Sequence, residues 1–315
     1  MKIWEKYILL TSASLFFMFL FGGCFTGIES TKKIKLTREV KKSKKTSDEE
    51  LFFNGIIGQT VGTLNEGHRF YVTDDRAILI FEPEGIPLGV SMPEIGGDTI
   101  TFTGVEPRVD ASGEIKLVLD FTDGSFKLPY NTGRPFDTGL DSFRTDQIPM
   151  IIDLDIVAQA KELLQGKKVW TKTLLWYDKN GERINGRKFV PVTITDVEPG
   201  NMVFPLNVKI LSNDSTVAWM WMNTGHSGTE SRSFFHLFSL TDPHEKHPGI
   251  TNEIWEKITN GDVTVGMTKD ECRLALGLPS DLSSGHDYSQ TLDMWSYENG
   301  IILWFEDGVL TRFRK

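Results

Sequence analysis

Cysteine is scarce in this 315-residue chain: Cys24 and Cys272 are the only two. Cysteine pairing therefore says nothing about redox compartment. Motifs that announce catalysis are missing too. No glycine-rich phosphate loop is present. "HEKH" at 244–247 lacks the H-E-x-x-H spacing that sets two imidazoles on one helical face. "GHSG" at 225–228 is not the G-x-S-x-G nucleophile elbow. Asp178, Asn180 and Gly181 imitate the start of a calcium loop, but the following acidic ligand is missing and a hairpin turn accounts for them. No apolar run reaches the ~20 residues of a comfortable membrane span. Composition has no bias toward disorder or collagen. What remains is an ordinary globular chain, long enough for roughly two domains. No catalytic residue, cofactor or metal ligand is assigned in it.

The amino terminus carries Lys2 and Lys6, then the apolar stretch Ile8–Phe21, then Gly22, Gly23 and Cys24. A basic start, a short apolar core and small residues before a cut site describe a secretory signal, residues 1–23. "LFGGC", Leu20 to Cys24, resembles a bacterial lipoprotein box. That resemblance implies a lipid on Cys24 and a membrane anchor. Residues 24–46 read as a flexible basic tether. They carry Lys32, Lys33, Lys35, Arg38, Lys41, Lys42, Lys44 and Lys45 with no hydrophobic periodicity. From Cys24 to Glu50 such a chain spans roughly 30 Å. The arm faces two readings: a plain spacer, or a strip lying on anionic headgroups, each basic residue attracted by about 1 kcal/mol. Nucleic acid is excluded as a partner, because the whole chain carries net charge −9 and its folded part repels phosphate.

The middle of the chain reads as a tandem repeat, residues 47–150 and 151–250. Ser47 and Glu50 have capping-box spacing, and Gly58 can end the helix they start. Downstream, Ile156, Ala160, Leu163 and Leu164 share one helical face that Gly166 ends. Val61 and Thr63 follow the first helix as Val169 and Thr171 follow the second. "TITFTGVEP" (99–107) matches "PVTITDVEP" (191–199), and "NTG" at 131–133 recurs at 223–225 in the same register. The first copy carries extra residues before its VEP, including the loop-like segment 82–97. Strands are expected over 70–81, 115–128 and 174–194, with Asp123-Gly124, Asn180-Gly181 and Asn185-Gly186 as turns. Small SH3-like barrels or sandwiches suit this outline. In "STVAWMWMN" (215–223), Trp219 and Trp221 point one way and Met220 and Met222 the other. A central strand buried on both faces is one reading; a partner-binding Trp face is the other.

From Thr251 the pattern turns to helices and hairpins, residues 251–315. Thr251 or Asn252 caps a helix that Asn260-Gly261 stops. Thr268 and Glu271 close a capping box, and Met267 and Cys272 make the hydrophobic staple. Gly277 and Pro279 end this second helix, with Leu278 expected to fold back over Cys272 or Arg273. Such a Cys272 is a buried core residue rather than a nucleophile. Three strands follow over 291–298, 301–306 and 309–314, joined by Asn299-Gly300 and Asp307-Gly308 as type I′ turns. With both helices on one face of that sheet, the other keeps Trp304 as a candidate contact.

"GMTKDECRLALGLP", "MWSY" and "LWFEDGVL" resemble the ααβββ module of the BamE (SmpA/OmlA) outer-membrane assembly lipoproteins, over about residues 251–315. The resemblance implies a non-enzymatic lipoprotein that binds envelope proteins. This chain departs from that family in placing the module at the end of a long protein, behind a duplicated β region. Membership of a barrel-assembly machine therefore does not follow. The expected fold is α+β: two tandem β-rich domains, each preceded by a short helix, then the ααβββ module. The expected function is a protein-binding scaffold or assembly factor, lipid-anchored at the outer membrane and facing the periplasm, with Trp219, Trp221 and Trp304 as partner-binding candidates and no cofactor. Two alternatives stand: a cell-wall or glycan-binding lipoprotein, and a metal-dependent hydrolase using the histidine-rich loop 226–247 (His226, His236, His244, His247).

Overall fold

The computed structural model describes residues 56–84, 86, 91–225, 231–287 and 290–315. The signal, Cys24, the basic arm, the helix expected from Ser47 and His226 lie outside the described residues. The architecture is α+β, mostly antiparallel, with two curled half-barrel sheets and few helices.

In the first sheet, β1 (Arg69–Val72), β2 (Thr99–Val109), β3 (Ile115–Thr122), β4 (Lys127–Pro135) and β5 (Ile151–Asp153) run in the order β4-β3-β2-β1-β5. Phe70, Ile100, Phe102, Leu119 and Phe121 alternate inward and are fully buried, the burial of each contributing about 1.5–3 kcal/mol. The second sheet holds β6 (Lys168–Thr171), β7 (Leu175–Tyr177), β8 (Arg183–Asn185), β9 (Pro191–Pro199), β10 (Leu206–Ser212), β11 (Val217–Met222) and β12 (Phe238–Ser239), in the order β12-β6-β9-β10-β11-β7-β8. Stripped of the β7–β8 hairpin at its edge, this order repeats the first sheet's. The matched sequences fall on β2 and β9, and both strands kink at the same place. Phe102 faces Phe121 and Gly104 faces Asp120, so Thr103 is skipped; Ile194 faces Ile210 and Asp196 faces Lys209, so Thr195 is skipped. Each skip is a β-bulge.

Three details of the repeat differ from expectation. Val61 and Thr63 lie in a 3₁₀ turn, Val61–Thr63, and not in the counterpart of β6. Phe70 is that counterpart: it faces Ile100 as Val169 faces Val192. β5, placed by sequence at the start of the second repeat, pairs with β1 and closes the first sheet. The run 70–81 is not continuous strand either. Asp74 accepts from the Arg76 amide, and this cap turns Asp75–Ile80 into a 3₁₀ segment.

Two helices flank these sheets: α1 (Phe136–Ser142) and α2 (Leu154–Leu164). Asp153 caps α2 by accepting the Asp155 amide, and Gly166 takes a positive φ of 81° after its end. Ile156, Val157, Ala160 and Leu164 form its buried stripe against the second sheet. A third, α3 (Phe234–Leu237), is one turn that buries Phe234 and Leu237.

The carboxyl-terminal module has α4 (Asn252–Asn260), α5 (Lys269–Leu276) and a sheet of β13 (Asp281–Asp287), β14 (Gln290–Ser296), β15 (Ile302–Glu306) and β16 (Val309–Arg314). It therefore has four strands where the sequence pattern suggests three. "DLSSGHD" has no apolar alternation; β13 is an edge strand held by its ladder to β14. Both caps form as expected, Thr251 accepting from the Ile254 amide and Thr268 with Glu271 closing a capping box. Leu278 does not fold back. Gly277 adopts φ 88° and ψ −165°, which swings the chain outward and leaves Leu278 78% exposed. Asp307 and Gly308 both have positive φ, as a type I′ turn requires. At Asn299-Gly300 only the glycine does, so Glu298–Gly300 is a three-residue loop closed by the Tyr297–Ile301 pair.

This module docks on the second sheet through the loop between β8 and β9. Lys188 Nζ donates to the Leu274 carbonyl at 2.9 Å, and the Lys188 amide donates to the Thr259 carbonyl at 2.9 Å. Both are last-turn carbonyls of the two helices, which otherwise lack partners. Phe189, at φ 56°, sets its ring edge-on to Trp255 at 5.9 Å. The end of the Leu174 side chain fills the space a Cβ on Gly261 would take, and the left-handed φ of 70° there favours glycine.

Candidate functional site

Cys272 sits at the centre of the carboxyl-terminal core beside Met267, Trp295 and Phe305, with no exposed surface. Burial, with Glu271 adding to it, pushes its thiol up to about 12. A thiol so placed is not a nucleophile at neutral pH.

The described histidines of the histidine-rich loop each have a separate contact and form no group of three metal-ligating side chains. His236 Nδ1 meets Ser233 Oγ at 2.7 Å. His244 bonds through Nδ1 to the Asp242 carboxylate at 2.7 Å and stacks on Trp255 at 4.1 Å. His247 approaches the same indole edge-on at 6.2 Å. The first three residues of "HEKH" lie in a 3₁₀ turn, Pro243–Lys246, whose Asp242 cap and leading proline start it, and His247 is its C-cap. Two of these histidines are thus packing partners of a tryptophan.

β11 is buried on one face only. Ala218, Met220 and Met222 enter the core, while Trp219 and Trp221 lie half-buried on the outer face, so the reading of a strand buried on both sides is corrected. The outer face is nevertheless furnished. Trp219 donates through Nε1 to Glu198 at 3.2 Å and lies 5.2 Å from the Lys209 ammonium. Tyr177 stands opposite Trp219 across the β11–β7 ladder and 6.2 Å from the Trp221 ring. Arg232 lies over Tyr177 and Phe204, its Nε donating to the Trp221 carbonyl at 2.7 Å. One guanidinium nitrogen of Arg232 and the side-chain oxygen of Asn207 are buried there and meet no hydrogen-bond partner among the described residues.

Trp304 stands on the face of the carboxyl-terminal sheet away from the helices, half-buried beside Met294, its register partner. The Arg312 guanidinium stacks on it at 4.1 Å, a cation–π contact. Leu292 extends this strip and is itself exposed. Ser283 and Gly285 continue it on the edge strand as small residues. A second concavity of about 460 Å³ lies between the first sheet and the β9–β10 hairpin, lined in part by the Arg144–Asp146 ion pair, Met202 and Asn223.

One cluster has no sequence signal. His68, Asp153 and Asp155 bring ring nitrogens and carboxylate oxygens within 4.8 Å of one another, the only such group of three or more found among the described residues. The β1–β5 pairing makes it, because that register sets Phe70 opposite Asp153 at the start of α2. His68 Nε2 lies 2.6 Å from Asp153 Oδ1. The other oxygen of Asp153 accepts from the Thr145 hydroxyl. Burial works to raise the Asp153 carboxyl, but the bonds from His68 and Thr145 outweigh it and hold it below the ordinary range. The bond to Asp153 raises the His68 imidazole despite its burial.

Comparison of the chain with family models, with curated proteins and with solved structures finds no match.

Proposed function

We propose that this protein is a non-enzymatic, lipid-anchored lipoprotein of the bacterial cell envelope that acts as a protein-binding scaffold or assembly factor, its carboxyl-terminal part a BamE-like module and its repeats SH3-like. The observation that carries the reading is the face of the carboxyl-terminal sheet that no described helix covers. Trp304, Met294 and Leu292 make an apolar strip under Arg312, and both helices pack on the opposite side. Tryptophan and arginine together are the residues most enriched where binding energy concentrates. Cys24 supplies the membrane attachment and the basic arm the reach. The test is a photo-crosslinking residue placed at position 304 in cells, with position 109, a remote exposed site, as control. A discrete protein adduct at 304 alone supports the reading; equal labelling at both, or none at 304, sinks it.

A second reading, a cell-wall or glycan ligand held by the second repeat, is favoured by Trp219, Trp221 and Tyr177 on one outer face. Flat aromatic rings beside polar groups suit the apolar face and hydroxyl rim of a sugar ring. Co-sedimentation with peptidoglycan that is lost in Trp219→Ala and Trp221→Ala would support it. Sedimentation unchanged by either substitution would remove it.

A further inference from the structure

We propose that His68, Asp155 and Gln59 form a binding site for a divalent transition-metal ion, Zn²⁺ by the chemistry of its donors, where β1 meets the amino-terminal turn of α2.

Asp153 sets the geometry. Its Oδ1 meets His68 Nε2 at 2.6 Å and accepts the Asp155 amide at 2.9 Å, while Oδ2 accepts from Thr145. With those bonds made and the residue buried, Asp153 is a backing group and not a ligand. A buried carboxylate on one imidazole nitrogen is the usual support of a metal-binding histidine, since it fixes the ring and turns the other nitrogen toward the ion. Here the other nitrogen, Nδ1, faces Asp155 Oδ2 at 3.5 Å. That separation is beyond the 2.7–3.2 Å of an N–H···O hydrogen bond. It matches two atoms each about 2.1 Å from one tetrahedral ion, which stand roughly 3.4 Å apart. The Gln59 side-chain amide lies 3.4 Å from the same Oδ2. Turned about its terminal bond, the amide would bring Oε1 beside Asp155 Oδ2 in place of the nitrogen.

The donor set is one imidazole nitrogen and two oxygens. Imidazole selects against Ca²⁺ and Mg²⁺, which take oxygen shells, and suits Zn²⁺. The Asp155 side chain is 57% exposed, so an ion can enter from solvent and keep a water as its fourth ligand. The helix end works mildly against a cation there, and the carboxylates of Asp153 and Asp155 offset it. The ion would tie the start of α2 to Gln59 and His68, two residues near each other but far earlier in the sequence.

The test uses the full chain without an affinity tag. Titration calorimetry with ZnCl₂ at neutral pH should give one ion per chain. Co²⁺ should give the strong visible absorption of a tetrahedral site. Asp155→Asn, an exposed change that leaves the fold intact, should weaken Zn²⁺ binding at least tenfold. His68→Gln should abolish it, and Asp153→Asn should weaken it about 10- to 100-fold. A chain with His236, His244 and His247 all changed to Ala should bind as the parent does. The proposal is overturned if no stoichiometric Zn²⁺ binds, if Asp155→Asn binds as tightly as the parent, or if binding disappears in the triple histidine variant. The first outcome would leave the cluster as a structural contact, His68 Nε2 hydrogen-bonded to the Asp153 helix cap.

Discussion

Lys188 gives the sharpest test of how the carboxyl-terminal module is docked. It is 9% exposed, and its ammonium meets the Leu274 carbonyl at the end of α5. Burial lowers its pKa from 10.5 to about 8. Between those two values the unfolded chain holds a proton that the folded chain lacks. Stability contributed by this residue therefore rises with pH across that window. Every tenfold change in proton affinity corresponds to about 1.4 kcal/mol, so the whole rise is of order 3 kcal/mol. The parent's stability curve alone does not display it. Cys272, pushed up to about 12, keeps its proton when the unfolded chain has lost it, and so contributes a fall with pH above about 9. Comparison with Lys188→Met cancels that common contribution. At pH 7 the substitution removes a buried charge but orphans a carbonyl, and these effects, of about 1–3 kcal/mol each, nearly offset. By pH 10.5 the parent should have gained on the variant by about 3 kcal/mol. Urea unfolding at pH 7, 8, 9 and 10.5, followed by tryptophan fluorescence, measures the difference. A difference that stays constant over this range would refute the reasoning, because it would mean that Lys188 titrates in solvent and the docked geometry does not hold.

Other outcomes follow from single contacts. Cys272→Ser should cost about 1–3 kcal/mol by burying a hydroxyl without a partner, and the native thiol should stay inert to a thiol reagent until the chain unfolds. Labelling of the folded protein within the mixing time would contradict the buried position. Asp153→Ala removes a helix cap, the partner of His68 and the acceptor of Thr145 together, and should cost about 3–5 kcal/mol in urea unfolding; a loss below about 1 kcal/mol would show that the cluster is not formed. Leu278→Ser should change stability by no more than about 0.5 kcal/mol, since the side chain is 78% exposed; a loss above about 1.5 kcal/mol would restore the folded-back arrangement expected from sequence.

Legibility in the sequence divides by how local the cause of each feature is. Caps, staples and tight turns depend on residues a few positions apart, so α4, α5 and the Asp307-Gly308 hairpin were legible to within a residue or two. β13 was not, because an edge strand of Asp, Ser and Gly has no apolar face and owes its shape to its neighbour. The His68 cluster and the Lys188 contact were hidden for a stronger reason. Each joins residues some 85 positions apart through a strand register or a docked loop, and neither residue type is unusual where it stands. The outer tryptophans were half legible: alternation separated Trp219 and Trp221 from the methionines, but only the sheet decides which face meets solvent.

The bulges at Thr103 and Thr195 belong to a different class, because their signal was present in the sequence. Along β2 the apolar residues run Ile100, Phe102, Val105, and along β9 they run Val192, Ile194, Val197. Both series keep a spacing of two and then break it with a spacing of three. A strand cannot hold such residues on one side without skipping a position, since its side chains alternate strictly. One break is a weak hint; the same break at matched positions in two copies is a prediction of a bulge in each. The bulge also re-aims the side chains beyond it. After the skip, Glu106 reaches Lys127 in the first sheet and Glu198 reaches Trp219 in the second. The shared VEP motif is therefore a structural device that turns an acidic side chain onto the outer face of each sheet. The partners it meets there differ between the copies. Divergence of function between the two repeats is accordingly to be sought on those outer faces, where Arg108 and Lys127 make a charge network in one and Trp219, Trp221 and Tyr177 make an aromatic surface in the other.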